Sequence, residues 1–109
     1  MNIDQVAFDE GVREATSAIT NKKCRLFWQT RDHWGELFTD LMKERFGVQV
    51  VHIDCFTSAA KYSYESGYNQ TVTAHINATF GEGAFERAWE EIEKYRLESY
   101  QQWRESNPV

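Results

Sequence analysis

The sequence is poor in the features that mark secreted, membrane and metal-binding proteins. Its only cysteines, Cys24 and Cys55, fit neither a disulfide framework nor a zinc motif, so we expect both to be reduced thiols. No apolar run approaches the length of a membrane-spanning helix, and the N-terminal region lacks the apolar segment of a signal peptide. These absences predict a cytoplasmic protein with no membrane contact.

Positive charge is also scarce. The 109 residues include 17 acidic and 12 basic side chains, which gives a formal net charge of -5. The one locally basic stretch contains Lys22, Lys23, Arg25, Arg31, Lys43 and Arg45. Because nucleic-acid binders draw most of their affinity from neutralising phosphates, this balance disfavours a nucleic-acid partner. It favours a partner protein with a basic surface.

Aromatic side chains, in contrast, are abundant. The chain has four Trp, five Tyr and seven Phe, 15% of all residues. Aromatic rings bury large areas and also dominate binding hot spots, so they suit both a dense core and a docking surface. The length leaves room for a single domain spanning 1–109, with 107–109 as a short tail, and none for a separate catalytic lobe.

The longest regular pattern alternates apolar and polar residues over 68–80. Thr, Asn and His side chains occupy one face, and the other face carries Tyr68, Gln70, Val72, Ala74, Ile76, Ala78 and Phe80. Because successive strand side chains point to opposite sides, the alternation predicts one long strand with an apolar face. Its Thr/Asn face would be open to solvent or to a partner.

The remaining patterns predict three helices and up to three further strands. Helical spacing and capping residues place helices at 4–19, 30–47 and 83–106. Strand-like stretches lie at 24–29, 48–54 and 59–64, the last joined to the long strand by a turn at 65–67. The predicted order is α-(β)-α-β-β-β-α. We therefore predict an α+β fold in which helices cover one face of an antiparallel sheet of three to four strands.

From Gly47 onward, this helix-β-β-β-helix order resembles the double-stranded-RNA-binding domain. The segments at 71–74 and 81–83 are similar to that family's third strand and to the loop before its second helix. The likeness covers about 31–106 and lies in the topology more than in the sequence. The family's phosphate clamp is a lysine cluster that opens the last helix, where this chain has Ala84, Phe85, Glu86 and Arg87. Glutamate would repel phosphate, so RNA binding is not expected.

Histidine and cysteine residues define one alternative function. His52, Asp54 and Cys55 are close in sequence, and His75 lies in another predicted strand. In a small-molecule- or metal-binding enzyme domain, His52, His75 and Cys55 would form the site. No HxxxH, CxxC or HExxH pattern accompanies them, so ordinary polar positions on strands are favoured. We expect no metal or cofactor.

Tyrosine and glutamate residues define the favoured function. Tyr62, Tyr64 and Tyr68 flank the predicted hairpin, where they either form a recognition surface or shield strand backbone. The last helix carries an acidic series, Glu86, Glu90 and Glu93. These six residues predict a non-catalytic acidic protein that docks on a partner macromolecule and inhibits or modulates it. Inhibitors, immunity proteins, accessory proteins of phages or mobile elements and mimics of nucleic acid are of this type. The oligomeric state and the docking face stay open.

Overall fold

The computed structural model describes residues 3–29, 34–53 and 58–107. Within these residues the chain forms four helices and two strands: α1 Gln5–Thr20, β1 Arg25–Trp28, α2 Trp34–Phe46, β2 Gln49–His52, α3 Ala59–Phe80 and α4 Ala84–Ser106. The side chains of Asp4 and Ser58 accept hydrogen bonds from backbone N–H groups and begin α1 and α3, respectively. No helix in this described part combines the length and the apolar character that a bilayer crossing requires.

The two strands pair in parallel, with Arg25 opposite Gln49 and Trp28 opposite His52. Helix α2 connects them, as a parallel pair requires a crossover rather than a tight turn. In the described residues the sheet contains only β1 and β2. The prediction of an antiparallel sheet of three to four strands is therefore wrong.

The error lies in the segment that the alternating pattern assigned to a hairpin, which is helix α3 throughout. Its buried residues Tyr68, Val72 and Ile76 recur every four residues, as the inward stripe of a helix does. Because four is a multiple of two, the same residues also fit a strand alternation. The structure distinguishes the two patterns. Gln70 and Ala74 would lie on the apolar face of a strand, but they are exposed on the helix.

The loss of the hairpin also removes the resemblance to the double-stranded-RNA-binding domain, which rested on three consecutive strands. The predicted turn at 65–67 is helical, and Gly67 serves the packing of α3 instead. The turn at 81–83 does separate two elements: Gly81 and Gly83 both have positive φ and join α3 to α4.

Helices α1 and α3 approach each other closely through two glycines. A Cβ atom built on Gly11 would lie 2.1 Å from the backbone oxygen of Tyr64, and one built on Gly67 would lie 2.3 Å from that of Phe8. Near them, the Ser63 hydroxyl is buried and accepts a 2.8 Å hydrogen bond from the backbone N–H of Asp4. The absence of side chains at both glycines lets the two helix backbones touch.

Helices cover both faces of the sheet, contrary to the prediction that they cover one. The Phe27 ring lies 5.1 Å from that of Tyr68 on α3. The next residue, Trp28, points the opposite way and lies 4.9 Å from Phe38 of α2 and 5.4 Å from Trp89 of α4. Two aromatic clusters therefore hold the short sheet between α3 on one side and α2 with α4 on the other.

The outer edge of β1 is bonded by a side chain. The backbone oxygens of Cys24 and Trp28 accept bonds from Gln49 of β2 and from Ile53 just after it, so the intervening Phe27 directs its backbone groups away from β2. The Asn69 amide oxygen accepts a 2.8 Å bond from the Phe27 N–H, and its amide nitrogen donates a 2.7 Å bond to the Phe27 oxygen. Asn69 thus satisfies both backbone groups of this residue at once.

Candidate functional site

Helix α4 is packed along its first half only. Ala84, Ala88 and Ile92 are buried, and Glu91 pairs with Arg45 at the end of α2. By helix geometry, the 13 residues of α2 span about 20 Å and the 23 residues of α4 about 35 Å, so α2 is too short to cover α4. From position 94 to 107 every side chain except that of Ser99 is exposed. We call residues 94–106 the outer segment of α4.

The outer segment exposes large apolar side chains. Leu97, Tyr100 and Trp103 are 56%, 56% and 58% exposed, and the rings of Tyr100 and Trp103 stack at 6.1 Å. Single exposed apolar residues are normal on a protein surface, but a cluster of this size marks interaction sites. Because Tyr and Trp bury large areas and are prominent in hot spots, this segment has the composition of a docking surface.

The three glutamates named from the sequence lie on α4 beside the outer segment. Glu86 accepts a 3.3 Å hydrogen bond from the Asn77 amide, Glu93 pairs with Arg96 at 3.2 Å, and Glu90 is exposed. Their spacing of four and three residues puts them in one row along the helix, and Leu97 continues that row. The structure therefore brings the acidic series and the exposed apolar cluster onto adjoining surface.

The three tyrosines named from the sequence do not form a shared surface. Tyr62 is 47% exposed, whereas Tyr68 is fully buried and cannot contact a partner. Tyr64 is half-buried, with its ring 6.1 Å from that of Phe27. Burial, assisted by a hydrogen bond with Glu14, raises the pKa of Tyr64 to about 12. Of the three, only Tyr62 is exposed, and it lies on helix α3 rather than on a hairpin.

The residues of the alternative enzyme site are only partly within the described chain. His52 is exposed at the end of β2, with Nε2 3.3 Å from the Thr39 hydroxyl, and His75 lies on α3, with Nδ1 3.5 Å from the Thr79 hydroxyl. Asp54 and Cys55 lie outside the described residues. Among residues 3–29, 34–53 and 58–107, no three His, Cys, Asp or Glu side chains are grouped as a metal site requires.

Glu65 is a buried carboxyl on α3 that the sequence did not single out. It is 6% exposed, and within the described part of the chain its Oε1 atom is buried without a hydrogen-bond partner. Burial raises the pKa of Glu65, and the opposing influence of Lys61 is smaller. The folded state therefore holds this proton to a higher pH than the unfolded state does. The Glu65 contribution favours folding below the unfolded pKa and is lost as pH rises through the folded pKa.

We expect Glu65→Gln to raise the free energy of unfolding at pH 7 by roughly 1 kcal/mol, because a neutral amide avoids the cost of a buried, unsatisfied charge. At pH 4, where both side chains are neutral, the two proteins should differ much less. Urea unfolding at the two pH values measures this difference, and the exposed Glu82→Gln serves as a control for loss of a surface charge. Parallel pH profiles for wild type and Glu65→Gln would contradict the assignment.

Sequence reasoning found the aromatic residues of α4 but missed the point at which they leave the core. In the sequence, large apolar residues recur along the whole predicted last helix with no mark of where burial ends: Phe85, Trp89, Ile92, Tyr95, Tyr100 and Trp103. The length of the predicted last helix was the signal that its end is exposed, since it is longer than the other predicted helices that could cover it. No known protein family, curated protein or solved structure matches this chain.

Proposed function

We propose that this protein is a non-catalytic binding protein that docks on another protein through the outer segment of α4 and so inhibits or modulates it. The observation that carries the proposal is the exposed cluster of Leu97, Tyr100 and Trp103 on a helical segment that projects beyond α2. An isolated helix of fewer than roughly 12–15 residues is marginal in water. A partner that covers this segment would stabilise it and bury its rings.

Charge defines the chemistry of the partner. The row of Glu86, Glu90 and Glu93 leads into the apolar cluster from the packed half of α4. An amphipathic helix binds in an apolar groove, and complementary charge on the groove's rim sets orientation and speeds association. The partner is therefore a protein with an apolar groove bordered by Lys or Arg. This docking mode replaces the predicted hairpin surface, because Tyr68 is buried and Tyr64 supports the fold.

The proposal predicts different kinetic effects for the rings and for the acids. A pull-down from the native cytoplasm with mass spectrometry identifies the partner, and surface plasmon resonance then compares variants. Trp103→Ala should weaken binding by about 2 kcal/mol or more, mainly through faster dissociation, because a buried aromatic anchor holds the complex. Charge reversal by Glu90→Lys with Glu93→Lys should instead slow association and flatten its dependence on salt.

The matched control is Tyr62→Ala, which removes an exposed aromatic ring from α3 rather than α4. It should bind the partner like wild type. If Tyr62→Ala loses affinity and Trp103→Ala does not, the docking surface lies on α3. Sedimentation analysis of the free protein tests whether a second copy of this chain binds the outer segment of α4 instead. If wild type dimerises and Trp103→Ala does not, the partner is another molecule of this chain.

A further inference from the structure

A cleft lies at the end of the molecule where α1 finishes and both strands begin. Its volume is about 620 Å³, inside the range of roughly 300–1,000 Å³ that is typical of small-molecule sites. The walls come from the last turns of α1, the connection to β1, and Gly47 and Gln49 before and in β2. No residue of α4 lines it, so the inference below is independent of the function proposed above.

The cleft is positively charged in a negatively charged protein. Lys22, Lys23 and Arg25 line it together with one acidic residue, Glu14. Three positive charges and one negative charge give a local balance of +2, against a net charge of -5 for the chain. Glu14 attracts Arg25 electrostatically, and it is the one acidic residue in the lining, so it offsets only part of the positive charge. Concave surfaces lined by one sign of charge concentrate ions of the other sign.

Arg25 is held in place by aromatic neighbours. Its Nε atom donates a 3.4 Å hydrogen bond to the Tyr68 hydroxyl, and its guanidinium carbon lies 5.4 Å from the ring centroids of both Phe27 and Tyr68. These aromatic partners are uncharged and fix the guanidinium group, while Glu14 interacts with it electrostatically without a salt bridge between them in the described residues. The terminal nitrogens of a fixed guanidinium match the geometry of phosphate oxygens.

Lys22 adopts a backbone conformation that favours glycine. Its φ is 57°, in the left-handed region, where it ends α1 while its backbone N–H bonds to the oxygen of Ile19. Residues held in this region cluster at ligand-binding sites. Asn21, in the same connection, and Gln49 add amide groups to the wall of the cleft.

We propose that this cleft binds a small molecule that carries a phosphate or diphosphate group. Arg25 contacts the phosphate oxygens from a fixed position, and Lys22 and Lys23 balance the remaining charge from the rim. Cys24 also lines the cleft, and burial raises the pKa of its thiol, so it stays neutral at physiological pH. A neutral thiol is a poor nucleophile, which suits binding rather than covalent catalysis.

Titration with pyrophosphate, monitored by NMR, tests the proposal. Sodium chloride keeps the ionic strength constant throughout the titration. In wild type, amide signals of residues 21–25 and 49 should shift and saturate. The double variant Lys22→Gly with Lys23→Gln should bind roughly tenfold more weakly, because two of three cations are gone. Lys22→Gly alone should melt no lower than wild type, since glycine suits the left-handed backbone. Lys23 is exposed, so the double variant should also melt close to wild type, and its measured melting temperature separates weaker binding from unfolding.

The matched control is Lys94→Gln, which removes an exposed lysine on α4, away from the cleft lining. It should leave pyrophosphate affinity unchanged within about twofold. The proposal is overturned if pyrophosphate causes no saturable shift, or if Lys94→Gln weakens binding as much as the double variant does. A short single-stranded oligonucleotide forms the second arm. If it binds more tightly than pyrophosphate and loses affinity in the same double variant, the ligand is a nucleic acid and the small-molecule assignment fails.

Discussion

Gly11→Ala should destabilise this protein by about 3 kcal/mol, the upper end of the usual cost of overpacking. The added Cβ would lie 2.1 Å from the Tyr64 oxygen and 3.0 Å from the Tyr68 nitrogen, and both are backbone atoms that no rotamer change can move. The helices α1 and α3 would have to separate. At an exposed helical site the same substitution raises stability by about 1 kcal/mol, so the sign of the effect is diagnostic.

Urea unfolding followed by circular dichroism measures this effect. Glu10→Ala, one residue earlier on the exposed side of α1, is the control and should stay within about 0.5 kcal/mol of wild type. Gly67→Ala should behave like Gly11→Ala, because its Cβ would meet the Phe8 oxygen at 2.3 Å. A stabilised Gly11→Ala variant would show that α1 and α3 do not touch at this point.

Trp89→Ala should cost about 3 kcal/mol of folding free energy, the lower end for large-to-small aromatic substitutions, because Trp89 is partly buried against the core. The Trp89 ring lies 5.4 Å from that of Trp28 and 5.6 Å from that of Phe38, so it joins α4 to both β1 and α2. Its removal takes this ring contact from Phe38 and leaves Trp28 with the ring of Phe85, 6.1 Å away, on α4. The packing of α4 on β1 and α2 is then weakened.

Trp103→Ala is the matched control, because it removes the same side chain from the same helix outside the core. We expect its melting temperature to stay close to that of wild type, while Trp89→Ala melts many degrees lower. Thermal unfolding monitored by circular dichroism compares the two. Equal melting temperatures for both variants would show that α4 does not pack on α2 and β1 through Trp89.

The sequence predicted correctly those helices and strands whose apolar residues fit only one periodicity, helical or strand-like. The helices at 4–19 and 83–106, the helix ending at Gly47, and the strands around β1 and β2 all appear in the structure within a few residues. It failed for α3 because Ala74 and Ala78 count as apolar in a strand pattern yet are small enough to face solvent on a helix. Ser58 followed by two alanines is the local signal in the sequence that a helix starts here.

The candidate surfaces depended on tertiary relations that periodicity does not contain. Tyr62, Tyr64 and Tyr68 have similar sequence surroundings, but the close approach of α1 and the ring of Phe27 bury two of them to different degrees. Trp103 lies in the part of α4 that extends past α2, a different helix. The basic cleft combines neighbouring lysines with Gln49, which reaches the site only because β1 and β2 pair in parallel.

The hydrogen bonds between Asn69 and the backbone of Phe27 limit the pairing of this sheet with strands of other chains. An exposed strand edge is a template on which another chain can add a strand, and through this route proteins aggregate or capture extended peptides. At β1 the Asn69 amide already occupies the donor and acceptor that an incoming backbone would use at this residue. A peptide that extended the sheet on this side would first have to displace a side chain anchored in α3. Asn69 thus blocks sheet extension at β1 without the chain having to supply a third strand.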